Sequence, residues 1–158
     1  MTNIVWRQPS QTLAVTSILD GSDPTEHAAL LQSRGDVPAD WEVAALNVGE
    51  FPEGPQEAWR FVGGVIVRDA AAATALARVA MVVSRRQIRQ AMSLTPYQAG
   101  TLREAVEAAV AAGDQNLQDW WNDANEFERL HPVVVAMAQA LGQSDEQVDT
   151  LFTLAASL

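Results

Sequence analysis

The sequence predicts an α+β protein. A small N-terminal antiparallel β-hairpin subdomain with one helix is expected over residues 1–83, followed by a C-terminal bundle of four to five short α-helices over 84–158. Three observations carry this. Short apolar and β-branched runs separated by turn residues fill the chain as far as Arg68. From Asp69 the apolar period lengthens from two to about 3.6. Helix-start and helix-stop residues then recur at short intervals to the last residue, which is agreement at several levels.

In the first region, Ile4 to Arg7 and Thr12 to Thr16 flank Gln8-Pro9-Ser10-Gln11 and read as a hairpin with a four-residue loop. Asp23 as N-cap, Pro24 at the first helical position and Glu26 three residues after the cap start a helix, which Gly35 stops. Trp41 to Leu46 reads as a strand, and Phe51-Pro52-Glu53-Gly54-Pro55 as loop, since two prolines and a glycine deny regular pairing. Trp59 to Val62 and Val65 to Arg68 make a second hairpin around Gly63-Gly64, a pair able to take the positive φ angles of a primed turn.

Ala70 to Val83 is expected as an alanine-rich helix with Leu76, Val79, Ala80 and Val83 on its packing side. Ser84 with Gln87 offers a capping box for the next helix, and Thr95-Pro96 opens another that ends at Gly113. Asp114 caps a helix expected to reach about Leu130, with Leu117, Trp120, Trp121, Ala124, Phe127 and Leu130 on one stripe. Pro132 starts a short helix stopped at Gly142. Ser144 with Gln147 caps the last.

Composition narrows the function classes. The chain carries a formal charge of −10, and its ten basic residues are all arginine. That balance opposes general affinity for nucleic acid, which needs a basic surface to displace counterions. No cysteine is present, so disulfides and thiolate metal sites are excluded. The longest apolar stretch, Ala70 to Val83, is interrupted by Arg78 and falls short of the roughly 20 residues a bilayer demands, so no membrane association is expected. Met1 to Arg7 lack a basic start followed by an apolar run, and no secretory signal is expected.

No catalytic, cofactor or metal-binding motif stands out. His27 and His131 are far apart and outside any ligand pattern. Glu126 with Glu128, and Asp145 with Glu146, read as solvated faces or first-turn helix charges. Arg34-Gly35-Asp36 spells an integrin-like tripeptide whose glycine is explained as a helix stop. The remaining candidates are for partner binding: Arg85, Arg86 and Arg89 on one turn, and the adjacent Trp120 and Trp121. Two arginines in a first turn oppose the helix dipole by about 0.3 to 1 kcal/mol each when exposed, which invites a compensating group. That group is either an acidic residue of this chain or an acidic patch on another protein, where bidentate arginine geometry helps. The tryptophans are either the core of the helical module or, for one of them, an interface anchor, because neighbours on a helix point about 100° apart.

Two stretches are also more particular than amphipathicity requires. Asp119-Trp120-Trp121, Phe127-Glu128-Arg129, His131-Pro132 and the closing helix Ser144 to Leu158, in a region that opens with Ser84-Arg85-Arg86-Gln87, resemble a helical module found near tail-fibre genes of tailed bacteriophages. The front, with Ile4-Val5-Trp6-Arg7, Arg34 to Trp41, Ala58-Trp59-Arg60 and Val67-Arg68-Asp69, is similar to short proteins encoded in phage tail regions. It departs from their usual form in carrying Gln56-Glu57 before Ala58-Trp59-Arg60, and the back carries Ser93-Leu94-Thr95-Pro96 where that module has an apolar glycine-centred turn.

The resemblance implies a non-enzymatic protein of the virion or its assembly, located in the virion or in host cytoplasm during assembly. A tail-fibre-associated protein or a fibre-assembly chaperone is the leading expectation. It would bind a phage fibre or another virion protein, with homo-oligomerisation inside a symmetric assembly also open. A capsid or head-fibre decoration protein, and a hydrolase acting on host glycans, are the alternatives.

Overall fold

The computed structural model describes residues 2–158, which form a mixed α and β protein with seven α-helices and several small antiparallel sheets. Its contacts divide into two units between Leu76 and Ala77.

In the first unit, β1 (Thr2–Arg7) pairs with β2 (Leu13–Ile18) through a loop closed by the Gln8 N–H on the Thr12 carbonyl. The expected hairpin grows into a three-stranded sheet because β3 (Glu42–Leu46) takes the other edge of β1, with a bulge opposite Val5 and Trp6. Central β1 is buried on both faces. Ile4 and Trp6 pack with Ile18, Ala28 and Val37 beneath α1 (Pro24–Arg34), while Val5 packs with Leu13 and Trp59 on the opposite side. Period-two alternation therefore feeds two cores from one strand.

Buried Asn3 prolongs this sheet by acting as a substitute backbone. Its side-chain amide donates to the Val48 carbonyl at 2.8 Å and its oxygen accepts the Val48 N–H at 3.0 Å. α1 starts where Asp23 accepts the Thr25 and Glu26 N–H groups and stops at left-handed Gly35. β4 (Trp59–Val62) and β5 (Val65–Arg68) form the second hairpin, with Gly63 and Gly64 both at positive φ.

The second unit is less purely helical than its sequence suggests, and three expected helices are cut short. α2 (Ala70–Ala80), which spans the division between the units, ends before Val82–Ser84, which form strand β6. The β-branched pair Val82-Val83 precedes an N-cap, and Ser84 must be extended to cap α3 (Arg85–Leu94), so the extended conformation propagates backwards. Val83 is buried from that strand, whereas Leu76 and Val79 are exposed rather than packed.

Thr95-Pro96 does not open a helix. Thr95 bonds back to the Ala91 carbonyl, and β7 (Pro96–Tyr97) and β8 (Gly100–Thr101) make a small ribbon. α4 (Leu102–Ala112) starts instead at the Thr101 and Glu104 capping box, which satisfies two N–H groups reciprocally.

The helix expected to reach Leu130 stops early as well. α5 (Gln115–Asp123) gives way to β9 (Glu126–Glu128), antiparallel to β6, with Phe127 opposite Val83 in the core and Leu130 exposed. α6 (Pro132–Ala140) and α7 (Asp145–Ala156) follow, started by His131 and by the Ser144 and Gln147 box. Ile88, Met92, Val106, Trp121, Phe127 and Phe152 form the heart of the core.

Candidate protein-binding surface

α3 turns Ile88, Ala91 and Met92 into the core, which leaves Arg85 and Arg89 half-buried at its rim and Arg86 exposed. Arg85 Nε donates at 2.7 Å to the carbonyl of Ala124, the C-cap of α5. Arg86 donates to Gln90 Oε1 at 2.7 Å and to the Leu158 backbone oxygen at 2.8 Å, just beyond α7. Both guanidinium groups thus sit at the C-terminal ends of neighbouring helices, where positive charge is favoured, and this offsets their placement in the first turn of α3.

Arg89 is held differently. Its guanidinium carbon lies 5.3 Å from the Trp121 ring centroid, a cation–π contact, and its Nε is buried without an acceptor. Among the described residues none of the three arginines forms an ion pair with an Asp or Glu side chain. The same-chain acidic partners foreseen for this region go to Arg78 instead.

The adjacent tryptophans divide as their angular separation requires. Trp121 is 7% exposed and belongs to the core, where its ring meets Phe127 edge-on at 5.4 Å. It offers no free anchor. Trp120 is half-buried, edge-on to Phe127 at 5.1 Å and stacked on His131 at 4.6 Å. His131 Nδ1 also accepts the Val133 N–H at 3.2 Å, so this histidine caps α6 and fixes Trp120 together.

The strongest polar constellation is one that sequence reasoning passed over. Arg129 is 2% exposed, yet its Nε donates to Asp149 Oδ1 at 2.7 Å and its Nη2 to Asp145 Oδ1 at 2.8 Å and to the Asp145 carbonyl at 3.1 Å. Arg78 joins from α2, with its guanidinium 2.8 Å from Asp149 Oδ2 and 3.0 Å from Asp145 Oδ2. Two arginines and two aspartates therefore close a four-member network.

Asp145 is thus an ion-pair partner and not merely a solvated first-turn charge. The Arg129 hydrogen bond holds its carboxyl below the usual carboxylate range, and bonding to Asp149 raises the Arg78 guanidinium. The available signal was arithmetic. Asp145 and Asp149 are four apart on one face of α7, and Arg129 follows directly after β9.

Two apolar features accompany these groups. In the first unit, cross-strand pairing puts Val62, Val65 and Val67 on the face of the second hairpin opposite Trp59, Phe61 and Ile66, and Val62 and Val65 are each 58% exposed. In the second, an apolar cavity of about 60 Å³ lies beneath α6. His27 shares a 3.0 Å hydrogen bond with Ser22, and the exposed Arg34-Gly35-Asp36 tripeptide closes α1 through the Gly35 and Asp36 N–H groups. Among the described residues no three histidine or carboxylate side chains converge on a point, and no helix is long and apolar enough to cross a membrane. The chain matches no protein-family model, and neither curated proteins nor solved structures gave a match.

Proposed function

We propose that the chain is a non-enzymatic bacteriophage protein of the virion or its assembly, acting by protein–protein binding, most concretely as a tail-fibre-associated protein or fibre-assembly chaperone. In this reading a β-rich front and a helical module each offer a docking face. The observation that carries it is the state of Arg85, Arg86 and Arg89. In a chain of charge −10, three clustered arginines have no Asp or Glu partner among the described residues, while Arg78 and Arg129 have theirs. Such a patch favours an acidic surface on a partner, since fork-shaped guanidinium groups bind carboxylates in pairs of hydrogen bonds.

The setting rests on the resemblance of the Trp120, Phe127 to Pro132 and Ser144 to Leu158 segments to phage tail-region proteins. Trp120, half-buried beside His131, supplies apolar area to accompany the charge in the second unit, and the exposed valines of the second hairpin are a separate apolar face of the first. The test is co-expression with a phage tail-fibre protein, together with mass spectrometry of purified particles. A chaperone co-purifies with the fibre and is substoichiometric in particles, whereas a structural component is present in symmetric copy number. Absence from particles combined with no binding to any virion protein would overturn the proposal.

A further inference from the structure

We infer that Arg85 and Arg89 form a receptor for one carboxylate, supplied by an aspartate or glutamate side chain of an acidic protein segment. This rests on α3 being the docking face proposed above, and it assigns recognition to two of the three arginines there. The two lie four residues apart, on one face of α3 and about 6 Å apart along its axis. Both lean on the C-terminal end of α5. Arg85 is tied there twice, by its Nε to the Ala124 carbonyl at 2.7 Å and by its backbone N–H to the Asn125 carbonyl at 2.9 Å. One turn back along α5, the Trp121 ring meets the Arg89 guanidinium 5.3 Å from its centroid. Binding usually costs long side chains their rotamer freedom; here the fold has already restricted both.

What the pair lacks is counter-charge. Arg89 is half-buried and its Nε is buried without an acceptor, so a cation has given up water with no ion pair in return among the described residues. Stacking on Trp121 uses the face of this guanidinium and leaves its Nη edge for hydrogen bonds in the plane, so the two contacts do not compete. Arg85 spends its Nε on Ala124, and its Nη groups remain to donate. A planar carboxylate matches such forks. Arg86 is exposed and already donates to Gln90 and Leu158, so it adds charge to the patch without this geometry. A phosphate dianion suits the place less. Asp123 and Glu126, both exposed, flank in sequence the Ala124 and Asn125 carbonyls that hold Arg85, and their charge opposes a second negative charge on the ligand.

A capped triglutamate peptide and inorganic phosphate are titrated separately into the full chain, following the nuclear magnetic resonance signals of the arginine Nε–H groups. The peptide should give saturable shifts at Arg85 and Arg89 that exceed the shift at Arg34, an exposed arginine in the last turn of α1, and should bind more tightly than phosphate. Arg89→Met, which keeps an apolar stem beside Trp121 and removes the fork, should weaken peptide binding by about tenfold or more. Arg85→Gln gives the same comparison should the methionine variant fail to fold. Absence of saturable shifts, equal shifts at Arg34, tighter binding of phosphate, or undiminished peptide binding by a folded variant overturns the assignment. A fibre protein that binds the wild-type chain and folded Arg89→Met equally well removes the carboxylate receptor and leaves the phage reading standing. Peptide binding at Arg89 with no virion protein bound does the reverse.

Discussion

Replacing Arg129 by alanine would leave the Asp145 and Asp149 carboxylates facing Arg78 alone, with an unfilled space where a fully buried guanidinium had been. Breaking a wholly buried pair costs about 3 to 5 kcal/mol; because Asp145 remains 62% exposed, the expected loss is at the lower end, about 3 kcal/mol, measured as a shift in urea midpoint at unchanged slope. Arg129→Lys should recover little of it, since an ammonium cannot reproduce the Nε and Nη2 fork. The same network sets a pH dependence. The Asp145 carboxyl is depressed in the fold by Arg129, so its stabilisation is full above the unfolded carboxylate value and disappears as pH falls through the lower folded one. Urea midpoints should therefore drop on acidification across that window, and Asp145→Asn should flatten this part of the curve while lowering the neutral plateau.

Among the elements, the core helices and the β6–β9 ribbon carry the second unit. Trp121→Ala should cost about 3 to 5 kcal/mol, the range for emptying a buried aromatic site, and Trp120→Ala distinctly less because its ring is half-buried. Thr101→Ala should cost about 1 kcal/mol by removing one half of a capping box, detectable as a midpoint shift. Caps were the most legible signals in the sequence. Asp23, Ser84, Asp114 and Ser144 all act as read, and so do the hairpin turn at Gly63-Gly64 and the stop at Gly35.

What the sequence hid were short strands spliced between helices. Val82 to Ser84 and Glu126 to Glu128 each have three residues, too few for a period of two to register, and their pairing joins segments more than forty positions apart. The capping box at Thr101 was available, but Thr95-Pro96 offered a competing start. The arginine network was illegible for a related reason: a charged residue reads as surface until its partners on another element are known. For the candidate surface, spacing located Arg85, Arg86 and Arg89 but could not show that two of them tie down helix ends, nor that Trp121 faces inward.

At the scale of the whole molecule, net negative charge keeps copies of the chain apart and makes any positive patch stand out to a partner. A complex held through α3 should weaken as salt rises, because exposed ion pairs are screened over about 10 Å at 0.1 M ionic strength. The second hairpin offers apolar area instead, and a contact made through Val62, Val65 and Val67 should be nearly indifferent to salt. Salt dependence therefore distinguishes which face a given partner uses. The most direct measurement is the affinity of a phage tail-fibre protein, the proposed partner, for Arg86→Glu, taken with the variant's Tm. Arg86 is exposed and its loss should change stability by less than about 1 kcal/mol. Binding should weaken by about tenfold or more at a nearly unchanged Tm. Full binding by the folded variant, or a loss of binding that merely follows a fall in Tm, would contradict it.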